Sequence, residues 1–177
     1  MRKIHFILAV LLLVSLSTPA LAQICPGAFS LSPFVGGFLF DGGESLEHRP
    51  VYGLRLGFDF TKNWGAEAVL SYVNTNYTQT DSSTNVYNYR LEGLYHFMPD
   101  SKLVPFLAAG VGGMSINYTD STPNQNRTVV DYGAGLKYFL MDWLALRGDV
   151  RHVLSFSSVH SNLEYTIGLT FYFGVYR

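Results

Sequence analysis

Between residues 52 and 60 the side chains change character at every step. Tyr52, Leu54, Leu56, Phe58 and Phe60 alternate with Gly53, Arg55, Gly57 and Asp59. In an extended chain successive side chains point to opposite faces, so one face of this segment is continuous apolar surface and the other carries charge. A charged face cannot line a dry core without partners. The segment therefore divides an apolar environment from a polar one.

The same parity returns along the chain. From Trp64 to Tyr72, Ala66, Ala68, Leu70 and Tyr72 oppose Gly65, Glu67 and Ser71. From Tyr87 to Phe97, the set Tyr87, Tyr89, Leu91, Tyr95 and Phe97 opposes Asn88, Arg90, Glu92 and His96. Leu144, Leu146 and Val150 oppose Arg147, Asp149 and Arg151. The last stretch, Leu163 to Phe173, sets Leu163, Tyr165, Ile167, Leu169, Phe171 and Phe173 against Glu164, Thr166, Gly168 and Thr170. With the stretch around Arg147 taken as Trp143 to Leu154, three further candidates at Phe29 to Phe40, Leu103 to Tyr118 and Thr128 to Phe139 bring the total to eight strands. No segment after residue 28 sustains an apolar stripe at helical spacing. An even number of antiparallel strands can close on itself and leave no unpaired edge, the condition for crossing a bilayer with strands.

The links alternate in length. Short ones at Thr61 to Asn63, Met98 to Lys102 and Leu140 to Asp142 separate longer ones at Asp41 to Pro50, Val73 to Thr84, Thr119 to Arg127 and Ser155 to Ser161. In a membrane barrel the long, polar links face outward and the short turns face the periplasm. Pro33 and Pro105 then fall near the starts of upward strands, where a missing N–H costs less.

The sign of the alternation separates this pattern from a soluble ligand-carrying barrel, whose exterior is polar and whose cavity is apolar, and favours the membrane barrel over that alternative. The inward set comprises Arg55, Arg90, Lys137, Arg147 and Arg151 with Asp59, Glu67, Glu92, Asp131, Asp149 and Glu164. Charges confined in a narrow barrel must pair, which predicts a salt-bridged lumen filled by side chains in preference to an open channel. Tyr and Trp favour the bilayer interfaces. Trp64, Phe97, Phe106, Tyr138, Phe171 and Phe173 are expected in the periplasmic belt, and Tyr72, Tyr87 and Tyr118 in the outer one. Trp143 shares the parity of Arg147, so a bulge is needed if it is to face lipid.

Export is expected from the first residues. Arg2 and Lys3 precede the apolar run Ile4 to Leu16, and Ala20-Leu21-Ala22 offers a signal-peptidase site. Residues 1–22 read as a signal peptide and 23–177 as the barrel. Cys25 is the single cysteine, which excludes a disulfide framework and a cysteine-based metal site. With Gln23 and Ile24 before it, Cys25 does not match a lipid-attachment site. A net charge of -1 and 14% charged residues leave no basic footprint for nucleic acid. No cofactor motif is present: His48, His96, His152 and His160 lack metal-ligand spacing, and no glycine-rich phosphate loop opens a helix.

The patterns Tyr52 to Phe60, Tyr132-Gly133-Ala134-Gly135-Leu136-Lys137-Tyr138-Phe139, Leu94-Tyr95-His96-Phe97 and Leu146-Arg147-Gly148-Asp149-Val150-Arg151 resemble the eight-stranded transmembrane domain of the OmpA-type outer-membrane family. The resemblance implies that interior arginine, lysine and glutamate side chains form a gate. Glu67, Arg90, Glu92, Lys137 and Arg147 are the matching kinds of residue. The chain ends at Arg177, soon after Phe173, so no peptidoglycan-binding domain is expected. The aromatic last strand resembles the signal read by barrel-assembly machinery, although Gly174-Val175-Tyr176-Arg177 displaces the usual terminal aromatic.

The expected function is a structural outer-membrane barrel with at most a small gated pore, and not an enzyme. Its expected partners are outer-membrane lipid and lipopolysaccharide. Two alternatives are an adhesion or binding role for the long links and lipid A acyl modification. For the latter, His160, Ser161 and Glu164 lie close in sequence, but neighbours on a strand face opposite ways.

Overall fold

The structure is a computed structural model that describes residues 24–39, 49–77, 82–118, 124–156 and 160–174. The leader expected over residues 1–22 lies outside them. Eight strands follow in order: β1 Phe29–Leu39, β2 Arg49–Asp59, β3 Trp64–Tyr77, β4 Ser82–His96, β5 Leu103–Tyr118, β6 Gln125–Met141, β7 Leu144–Ser155 and β8 His160–Phe173. Each pairs antiparallel with the next, and β1 pairs with β8, closing the barrel expected from the alternation.

Closure gives every strand two neighbours, so the backbone satisfies its own hydrogen bonds wherever lipid surrounds it. The exception is local. The β1–β8 ladder skips Ser32 and Pro33, passing from Leu31–Phe171 to Phe34–Gly168. Proline has no N–H to give, and Ser32 compensates inside the barrel with an Oγ–Oγ1 hydrogen bond of 2.9 Å to Thr170.

Strands run further than the apolar pattern suggested. Residues 73–84 read as a long polar link, yet β3 and β4 stay paired from Val73–Val86 to Tyr77–Ser82. Polar side chains beyond the bilayer can pair with one another: Asn74 Nδ2 donates to Asn85 Oδ1 at 2.9 Å. Backbone ladder bonds do not require an apolar side chain, so composition marked the membrane boundary and not the strand end. Likewise β6 begins at Gln125, inside the expected link.

Leu70, Leu91, Val111 and Ile167 stand on the outer wall, each more than half exposed. Trp64 meets Tyr95 edge-on at 4.9 Å, Tyr95 meets Phe97 at 5.0 Å, and Tyr72 meets Tyr87 at 5.2 Å. Tyr138 and Phe173 are also exposed, and Phe171 is half-exposed. The side chain of Tyr118 lies outside the described residues. A register shift between Phe139 and Met141 places Trp143 in the β6–β7 turn, exposed and stacked on Phe171 with centroids 6.2 Å apart.

Phe106 departs from the belt assignment. It is buried on the inner wall, 1% exposed, with the Arg147 guanidinium 4.7 Å and the Lys137 ammonium 5.4 Å from its ring centre. Its closeness to a short turn suggested the belt, but its parity is that of inward Val104 and Ala108. The negative face of the ring attracts cations, which gives it a place among them.

Candidate functional site: a charged lumen between apolar layers

Parity sets which residues enter the lumen, and register decides which of them meet. All eleven charged residues assigned inward from the alternation are buried. Arg147 on β7 joins two acids: its Nη1 donates to Glu67 Oε1 at 2.6 Å and its Nε to Asp149 Oδ2 at 2.7 Å. Asp149 also accepts from Arg55 Nη2 at 3.0 Å. Thr166 completes this corner, accepting from Arg55 at 2.9 Å while donating to Asp149 at 2.8 Å.

A second group lies alongside. Arg90 grips Glu164 with both terminal nitrogens, at 2.8 and 3.3 Å, the bidentate geometry in which guanidinium and carboxylate are best matched. Arg90 Nε lies 3.3 Å from Glu92, and Arg151 Nε donates to Glu92 at 3.1 Å. Arg151 lies 3.9 Å from Asp131 and 3.9 Å from Asp149, so it bridges the two groups.

Lys137 is the cross-strand neighbour of Arg147, but its polar contact is with a histidine. Its Nζ is 3.0 Å from His96 Nε2, and His96 Nδ1 is 3.9 Å from Asp59. Of the five gate-type residues, Glu67 and Arg147 meet directly, as do Arg90 and Glu92, whereas Lys137 contacts His96. The histidine was visible by parity in the sequence but had no assigned part.

Above and below the charges the lumen is lined mainly by apolar side chains, with Ser71, Asn88, Ser155 and Asn162 also buried at the upper level beside Met114, Val129 and Val153. Towards the long links, Phe34, Phe38, Val51, Val69, Val73, Val86, Met114, Ile116, Val129 and Val153 form one cluster. Its lower surface meets the charges through Phe34, whose ring centre is 3.7 Å from the Arg55 guanidinium carbon. Towards the short turns, Ile24, Ala28, Val104, Phe139, Ala145 and Tyr172 form another, with Cys25 half-buried against it. The segment before β1 closes this mouth. Ile24 N–H donates to the Pro99 carbonyl at 3.1 Å, Gly27 N–H donates to the Asp59 backbone carbonyl at 2.7 Å, and Ile24 is wholly buried.

The sequence reading named the charges and passed over both seals. The signal was available: Val51 and Val73 share the parity of Arg55 and Glu67 at the long-link end, and Phe139 and Ala145 share that of Lys137 and Arg147 at the short-turn end. The alternation drew attention to contrast between faces, whereas a seal appears as its local loss.

Two of the residues weighed for hydrolysis, Glu164 and Ser161, stand on opposite faces of the wall. Glu164 is in the lumen with Arg90, whereas Ser161 is exposed on the outer wall. Ser161 meets His152, 2.5 Å away, and His152 Nδ1 lies 2.8 Å from Tyr132 Oη. The side chain of His160 lies outside the described residues.

The sequence profile of the family described as "Outer membrane protein beta-barrel domain" matches residues 8–175. Outer membrane porin F of Pseudomonas aeruginosa is 27% identical over 113 residues, 59% of this chain. The chain spans 32% of that relative's length. Among solved structures, the N-terminal β-barrel domain of Pseudomonas aeruginosa OprF is similar with a TM-score of 0.59 at 21% identity, covering 84% of this chain and 98% of that one. The outer membrane protein OprG from Pseudomonas aeruginosa has a TM-score of 0.67 at 14% identity, covering 88% of this chain and 100% of that one. At these identities the structural likeness speaks to the fold.

Proposed function

Because the chain belongs to the outer membrane protein beta-barrel domain family, as an OmpA-type barrel, we propose that it is a structural, non-enzymatic wall element of the outer membrane whose lumen is closed at rest. The layering of the lumen carries this reading: a paired charge network lies between two apolar seals. An ion crossing it would leave water at one apolar layer, compete with guanidinium–carboxylate pairs, and leave water again at the other. Each desolvation is costly. A pore would require both seals to part as well as the pairs to exchange, so the gate-type residues act here as a filling.

The N-terminal leader, read as a cleaved export signal, supports delivery across the inner membrane. The outward row Tyr165, Ile167, Leu169, Phe171 and Phe173 on β8 supports recognition by barrel-assembly machinery. The long links are read as facing outward, with outer-membrane lipid and lipopolysaccharide around the wall. Potassium efflux from vesicles tests the closed lumen. Vesicles holding folded protein should leak no faster than empty ones, and protein-dependent efflux proportional to the folded fraction would refute it.

A further inference from the structure

The outer wall carries a feature that a barrel filled by side chains does not need. Ala66, Gly93 and Ala109 are successive cross-strand partners, continued in the same register by Tyr132 and His152. This row starts two residues from the short-turn end of β3 and reaches β7 close to the long-link rim, because the strands are staggered. Small side chains make its lower part a trough. Trp64, Tyr95 and Leu107 wall one side of a cavity of about 460 Å³, and Tyr132 stands at its upper end. From Gly93 through Ala109 to Tyr132, two inter-strand spacings of about 4.8 Å give the trough a length of roughly 10 Å.

At that upper end lie polar groups on a wall otherwise facing lipid. Tyr132 Oη, both nitrogens of His152 and Ser161 Oγ form one hydrogen-bonded run, with separations of 2.8 and 2.5 Å. Tyr132 also packs edge-on against the His152 ring at 5.1 Å. We propose that the trough and this trio form a seat for an acyl chain of the outer-leaflet glycolipid, its methylenes along Gly93 and Ala109 and its ester or hydroxyl oxygen at Tyr132, His152 and Ser161.

Three observations select this occupant. The trough is apolar, narrow and opens on the bilayer, as a single chain requires. The trio offers hydroxyl and imidazole donors and acceptors suited to esters and hydroxyls, and the described outward positions of β3–β8 between the aromatic belts carry no Lys or Arg for a phosphate. The trio lies towards the long-link rim, where the outer leaflet meets water. Hydrolysis is not assigned, because the neighbouring strand amides are committed to the ladder and leave no evident pair of donors for an oxyanion.

The inference rests on the outward orientation of the long links, which an epitope inserted between β1 and β2 tests separately on intact cells. Folded full-length barrel, verified by heat-modifiable mobility, is titrated with lipid A and, in parallel, phosphatidylethanolamine, and adducts are read by native mass spectrometry. One lipid A should be retained in preference to the phospholipid. Gly93→Leu fills the trough, and the glycine has room for it, since an added Cβ would meet only the Ala109 carbonyl oxygen at 3.9 Å. It should abolish the adduct, while His152→Ala with Ser161→Ala should weaken it about fivefold. Equal adducts in wild type and both variants, or equal retention of the two lipids, would overturn the assignment. So would covalent labelling of Ser161 by a fluorophosphonate, which would make the trio hydrolytic. A surface-exposed epitope together with loss of lipid selectivity would fault the seat alone; an epitope hidden in intact cells would fault the orientation.

Discussion

Arg147 is held by Glu67 and Asp149 from two other directions, and its guanidinium also lies over Phe106. Its removal leaves two carboxylates short of a cation in a buried layer. Arg147→Met should therefore cost about 3–5 kcal/mol. Adding Glu67→Leu should recover much of that loss, because the remaining charges, Asp149 and Arg55, still pair at 3.0 Å. Urea unfolding in lipid vesicles, followed by heat-modifiable mobility, measures both variants; a double variant no more stable than Arg147→Met would contradict the pairing. At this scale parity made the inward side of each charge legible, because Arg55 and Leu54 differ by one residue and one face. Partners such as Arg90 and Glu164, 74 residues apart, were not legible, since they depend on where the barrel closes. Phe106 was misplaced because position along the strand was allowed to outweigh parity.

Strands fix where those partners meet, and glycines fix how closely the strands pack. A side chain added at Gly133 would run into the Val150 carbonyl oxygen, and one at Gly112 into the Tyr89 carbonyl oxygen. Backbone cannot yield as a flexible side chain can. Gly133→Val should therefore prevent closure between β6 and β7, seen as loss of the heat-modifiable folded band, whereas Gly93→Leu should keep it. A folded band of normal intensity for Gly133→Val would contradict the close approach. The eight strands and their order were readable from repeated alternation and short turns. Strand ends beyond the bilayer were not, because Asn74 and Asn85 satisfy each other in a ladder that composition does not reveal. The shift between Phe139 and Met141 was legible only as a conflict, with Trp143 in the parity of Arg147.

For the molecule as a whole, the arrangement of layers matters more than any one pair. Wall charges face inward, apolar residues face the bilayer, and apolar residues return inside near both strand ends. The segment from Ile24 to Ala28 contributes to the lower seal from outside the strands, which periodicity could not show. Ile24→Asp would place a charge in that seal and should lower stability by a few kcal/mol, on the order of the cost of burying an unpaired charge. Chemical unfolding checks the stability change. The closed lumen itself is tested most directly by single-channel recording of wild-type protein in planar bilayers, with folding verified on the same preparation. Sealed layers predict a baseline without unitary steps. Regular steps whose frequency follows the amount of folded protein would contradict the account.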